Sequence, residues 1–180
     1  MTELKRELLQ STAVASPAWS GNAIHFVLLR VGEDLLALPV GYLREFVPVA
    51  ALSPLSDAAS AIAGLLNYHG EMLAVINLGE LLGAPIDPLS VEKTLAVCTL
   101  DGFGFVLLVD EATDVVAVHP QEIRIVEQVM PGAVRAVAFF VTDGATAVVP
   151  DIWSVVLAVQ LGGDRRRGAA SGTEDPESLG

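Results

Sequence analysis

The chain has 180 residues, of which 52% are hydrophobic, with 22 Asp and Glu against 10 Lys and Arg and a net charge of -12. That is ample apolar material for a core, while the acidic balance excludes a nucleic-acid partner, because phosphate binding needs clustered cations. The single cysteine, Cys98, rules out an internal disulfide and a cysteine-based zinc site.

Residues 3–10 read as a short helix, and residues 11–22, with Pro17 and Gly21, as a linker. Short β-rich runs bounded by turn residues then dominate. Strands are expected at Ile24–Val31, Leu35–Val40, Glu45–Val49, Met72–Ile76, Leu95–Leu100, Phe103–Val109, Val115–Val118, Val134–Val141 and Ala145–Val149. Asp101-Gly102 and Asp143-Gly144 are hairpin turns. Helices are expected at 58–66, 78–82, 121–127 and 152–159. From Gly162 onward the chain is polar and Gly-rich and is expected to be disordered, its Arg165-Arg166-Arg167 run being solvated. The folded body is therefore about 23–161, an all-β unit of the barrel or sandwich kind.

The body repeats itself. Val40 matches Val109 and Glu45 matches Asp114, both pairs at one spacing. Asn77, Leu78, Leu81 and Leu82 match Asp151, Ile152, Val155 and Val156, all four at a second, slightly longer spacing. Two units of about 70 residues, roughly 23–90 and 91–161, follow, with exchange of terminal elements allowed. Asn77 and Asp151 stand where their side chains can cap the first turn of a helix. Neither unit is large enough for a stable core of its own, so the two should share an apolar face.

Catalytic chemistry leaves convergent titratable groups, and few occur here. His25, His69 and His119 are far apart without metal-ligand spacing, and no nucleophile elbow, phosphate loop or dinucleotide fingerprint is present. Cys98, within Leu95–Leu100, reads as a buried, inert thiol. No cofactor or metal is expected, and a binding module without enzymatic activity is favoured. The amino-terminal residues carry charges where a secretion signal would have its apolar segment, and no run of about 18 uncharged apolar residues occurs, so a cytoplasmic protein without membrane insertion is expected.

The run "IAGLLNYHGEMLAVINLGELLG" (62–83) resembles the CheW-like domain of bacterial chemotaxis adaptors, in which an Asn-Leu-Arg-Gly turn precedes a strand and a short helical turn. "FGFVLLVDEATDVVAV" (103–118) resembles a second stretch of that family, with Val109-Asp110 and Asp114-Val115 in place. The likeness covers about residues 24–158. It implies two SH3-like five-stranded β-barrels packed on a shared core. It further implies an adaptor in membrane-associated arrays that couples the cytoplasmic tip of a chemoreceptor to the regulatory domain of a CheA-type histidine kinase. Carried over residue by residue, it implies a partner-binding surface of Leu43, Glu45, Asn67, Tyr68, His69 and Gly70, with Phe46 and Val47 as further apolar interface. His69 replaces the family's turn arginine and Tyr68 its leucine, removing a bidentate cationic fork. A diverged accessory protein that binds only the kinase or only the receptor is therefore an alternative. A small β-barrel enzyme or ligand-binding regulator is a third.

Overall fold

The computed structural model describes residues 23–54, 61–84, 90 and 92–159. The expected helix at 3–10, the linker 11–22 and the tail 162–180 lie outside them. Twelve strands are described: β1 Ile24–Val31, β2 Asp34–Pro39, β3 Leu43–Pro48, β4 Leu52–Pro54, β5 Ile62–Tyr68, β6 Glu71–Asn77, β7 Thr94–Leu100, β8 Phe103–Val109, β9 Glu111–Val118, β10 Arg124–Val129, β11 Arg135–Thr142 and β12 Ala145–Pro150. Helix α1 (Leu78–Leu82) follows β6, and α2 (152–159) follows β12. Two expected helices are strands. The Ala-rich run 58–66 has helical composition, but from Ile62 it pairs with β4 and β6. Gly64 explains the preference, since a Cβ there would collide with the Ser53 carbonyl oxygen on β4. Within 121–127, a 3-10 turn at Pro120–Glu122 leads into β10, an edge strand on β11.

The Asp101-Gly102 and Asp143-Gly144 hairpins form as expected, with positive φ at both central residues, the type I′ geometry that matches strand twist. His69-Gly70 makes a third such turn, with φ of 51° and 89°. Asn67 remains on β5, where its Oδ1 accepts a hydrogen bond from Gly70 N at 2.9 Å.

The strands form two sheets, ordered β10-β11-β12-β2-β1-β9 and β4-β5-β6-β8-β7-β3. Each has six strands where five were expected, because β4 and β10 add an edge to each. Superposing the first sequence unit on the second (β1 on β7 through β6 on β12) converts one strand order into the other. The likeness extends to register. The bulge that breaks the β3–β7 pairing between Leu43 and Glu45 recurs at the matching place in the second unit, between Ala112 and Asp114 in the β1–β9 pairing. Ile62↔Ile76 and Gly64↔Val75 likewise recur as Ala136↔Pro150 and Ala138↔Val149. The sheets, however, do not coincide with the units. The β1–β2 hairpin joins the second unit's sheet through the parallel β2–β12 pair, and the β7–β8 hairpin joins the first unit's sheet through the parallel β6–β8 pair.

A large apolar cluster lies between the sheets, containing Val27, Leu29, Leu36 and Leu38 of one, Val75, Leu95, Phe105 and Leu107 of the other, and Leu78, Ile152 and Val155 of the helices. A smaller cluster fills the first sheet around Phe26 and Phe140, whose ring centroids are 5.0 Å apart. Both helices are capped as their sequences require: Asn77 Oδ1 accepts from Glu80 N at 3.2 Å, and Asp151 Oδ1 accepts from Trp153 N at 3.1 Å. Arg135 Nη2 donates to Asp151 Oδ2, tying α2 to β11. The sheets are also tied at Asp110, on the crossing from β8 to β9. Its carboxylate accepts from Gly32 N at 2.6 Å and pairs with Lys93 at 2.8 Å. Burial pushes this carboxyl's pKa up, but the bonds from Lys93 and Gly32 and the charges of Lys93 and Arg30 outweigh burial and hold it below its usual range.

Gly132 has a φ of 69°, and a Cβ there would run into the Leu81 carbonyl oxygen of α1, whereas Gly70, with φ of 89°, faces open space. Gly132→Ala should cost more than ~2 kcal/mol in urea unfolding, combining overpacking with backbone strain, and Gly70→Ala about 1 kcal/mol from strain alone. Equal costs would mean that α1 moves freely away from the turn. For Asp110, a lowered folded pKa stabilises the fold above the unfolded value of about 3.9, and that stability is lost as pH falls through the folded pKa. Asp110→Asn should therefore cost about 1 kcal/mol at pH 7, solvent screening reducing the value of a partly exposed pair, with the difference from wild type shrinking toward pH 3. A difference independent of pH would show that the charge is not what matters.

Candidate partner-binding surface

The second sheet ends in β3 on one side, and β5 lies four strands away in the order β3-β7-β8-β6-β5. In a flat sheet that separation is about 19 Å. Yet the Arg44 guanidinium of β3 lies 6.0 Å from the centroid of the Tyr68 ring on β5, so the sheet curls until its first strand meets the β5–β6 hairpin. Arg44 also donates to Thr99 Oγ1 on β7 at 3.1 Å. On its other flank Tyr68 meets the His69 imidazole edge-on, with ring centroids 4.4 Å apart.

The bulge between Leu43 and Glu45 explains how β3 presents these groups. Strict alternation would turn either Arg44 or Glu45 inward, and an extra residue lets both face solvent. Leu43 and Val47 are half-buried against the shared core, while Phe46 is 39% exposed on the edge. Tyr68 is also half-buried against that core, and Asn67, His69 and Gly70 are exposed. Of the residues singled out from the sequence, Tyr68 and His69 are in ring contact, Asn67 and Gly70 close the same turn, and β3 reaches that turn through Arg44. Phe46 and Val47 lie farther along β3, opposite Ala96 and Leu95.

Arg44 is absent from the residues that the sequence singles out, because the family's cation belongs to the turn itself. Its signal is nevertheless present: two consecutive charged residues inside a strand imply a bulge, since neither charge tolerates burial unpaired. A second unanticipated feature lies on the other face of the hairpin. Met72 is 54% exposed and Phe103 48% exposed. The β6–β8 register, Val75↔Val106, carried back along both strands sets them side by side. Among the described residues no group of three His, Cys, Asp or Glu could hold a metal, and no helix is long and apolar enough to cross a membrane.

The family model of the CheW-like domain matches residues 25–160. Among solved structures, the scaffolding protein TtCheW of Thermoanaerobacter tengcongensis is similar, with a TM-score of 0.66 at 17% identity, covering 77% of this chain and 90% of that one. The likeness to it is one of fold. No curated protein sequence matches significantly.

Cys98 takes no part in this surface. It is fully buried on β7, its Sγ lies 3.4 Å from the Ala96 carbonyl oxygen, and burial pushes the thiol up to about 12. At pH 8 the folded protein should leave a disulfide reagent unreacted, with labelling appearing only along the unfolding transition in urea. Rapid labelling without denaturant would mean that β7 opens locally.

Proposed function

The chain belongs to the CheW-like domain family, and from that premise we propose that it is a chemosensory adaptor that works by association. It would join the cytoplasmic tip of a chemoreceptor to the regulatory domain of a CheA-type histidine kinase in cytoplasmic, membrane-associated arrays. The observation that carries this reading is the family match, which spans nearly all of the described fold. The accessible edge of β3 and the adjoining hairpin support it as a docking surface.

On this reading Leu43, Glu45, Asn67, Tyr68, His69 and Gly70 face the receptor, with Phe46 and Val47 extending the contact along the strand. Arg44 then has a particular role. The turn lacks the arginine that the family's pattern places there, but the Arg44 guanidinium reaches the Tyr68 ring from β3, across the curled sheet. It supplies a cation beside the turn, held in place by the Tyr68 ring and Thr99, and suited to an acidic side chain on the partner. Contacts of this size are individually weak, and an array multiplies them. A protein of net charge -12 would also resist unselective association.

Calorimetry tests the reading with two ligands, the regulatory domain of a CheA-type kinase and a receptor-tip fragment. The expected result is binding to both, with Arg44→Ala weakening the receptor fragment about tenfold, ~1.4 kcal/mol, and leaving the kinase domain unaffected. Binding to one ligand alone would identify the accessory protein, and where that ligand is the kinase domain, His69→Arg should restore the missing receptor affinity. Binding to neither would remove the adaptor reading.

A further inference from the structure

Sheet edges left open by a fold are the places where a second chain can attach. Strands β3 and β9 are two such edges, one on each sheet, and the internal repeat makes them mates. Both carry the bulge that turns two consecutive polar residues to solvent, Arg44 and Glu45 on β3, Thr113 and Asp114 on β9. An exposed apolar residue follows each pair, Phe46 at 39% in the first unit and Val115 at 56% in the second. The adjoining turns repeat as well. Asp143-Gly144 takes the place of His69-Gly70, with positive φ of 49° and 79° at the two residues.

The geometry repeats and the charge does not. Where the first margin has Arg44 and His69, the second has Thr113 and Asp143, so that bulge and turn together present two acids, Asp114 and Asp143, and no cation. Pairing inside the chain leaves the same groups over. Among the described residues, Arg30, Lys93 and Arg135 each pair with a carboxylate of their own chain, Glu111, Asp110 and Asp151 respectively. Arg44 does not. Thr99 and the Tyr68 ring anchor its guanidinium through one N–H and one face, and the remaining donors are open to a carboxylate from outside. Asp114 accepts from Val115 N at 2.7 Å through Oδ1, which leaves Oδ2 for a further donor.

The two margins thus complement each other in charge while lying at mated positions of one molecule. They are different surfaces, so a contact between them is heterologous and passes from copy to copy. An identical repeat would set arginine against arginine, and Thr113 in place of Arg44 removes that conflict. We propose that the chain self-associates head to tail, the β3 margin of one copy docking on the β9 margin of the next, with Arg44 paired to Asp114 and Asp143 and with Phe46 beside Val115. The net charge of -12 makes copies repel overall, which keeps the contact weak. On the adaptor reading the β3 margin also faces the receptor, so a copy held in this way is withheld from it.

Sedimentation equilibrium of the whole chain without any partner tests the contact, and its outcome does not depend on the adaptor reading. The wild type should gain mass with concentration, past the dimer. Arg44→Ala and the double variant Asp114→Asn/Asp143→Asn should each weaken association by about tenfold or more. The second result is diagnostic, because removing two negative charges lowers the general repulsion and by itself favours association. An equimolar mixture of the two variants should recover association and stop at a one-to-one dimer, since only one competent contact remains between them, and that recovery shows both variants to be folded. A wild type that stays monomeric would overturn the proposal. So would association that persists unchanged in either variant, or a mixture that recovers nothing while circular dichroism shows both proteins folded.

Discussion

Two parallel strand pairs, β2 with β12 and β6 with β8, hold this fold together. Each unit of about 70 residues is of a size at which a chain on its own is only marginally stable. Exchange of the β1–β2 and β7–β8 hairpins solves this by making each sheet a joint product. The core is consequently placed between the sheets, with the helices contributing Leu78, Ile152 and Val155 to it. Asp110, at one crossing between sheets, pins the exchange by bonding the β1–β2 turn and Lys93 together.

The exchange also shapes the outer surface. With its interior edges paired across units, the second sheet keeps β3 at its margin, and curling brings that margin to the β5–β6 hairpin. Polar and aromatic groups gather there without a metal cluster among the described residues, and the one thiol is sealed inside. The Tyr68 and His69 rings and the Arg44 guanidinium meet at that margin.

Much of this is legible in the sequence, because the strongest signals are local. Asp-Gly dipeptides between apolar runs mark hairpins, and Asn77 and Asp151 before apolar turns mark helix caps. The caps in turn expose one repeat spacing and the Glu45 and Asp114 pair the other, and the bulges and registers reproduce both. Expectation and structure part where tertiary pairing overrides composition. Ala61, Ala63 and their neighbours favour a helix until β4 and β6 claim them, and the run from Gln121 alternates too weakly to betray an edge strand. Which hairpin belongs to which sheet is not readable, since a strand's sequence records burial and not the identity of its neighbour. Arg44 escapes for a related reason: its meeting with Tyr68 depends on the curl of a whole sheet.

The β2–β12 pair joins Leu35 to Ala147, near opposite ends of the described body. On a ribosome adding about 5–20 residues each second, the β1–β2 hairpin is made roughly 6–22 s before the strand that completes it. During that interval its apolar faces and open edge are exposed to the crowded cell. The newborn chain is thus in its most aggregation-prone condition early in synthesis, and its demand on chaperones is set by the order in which the two units emerge.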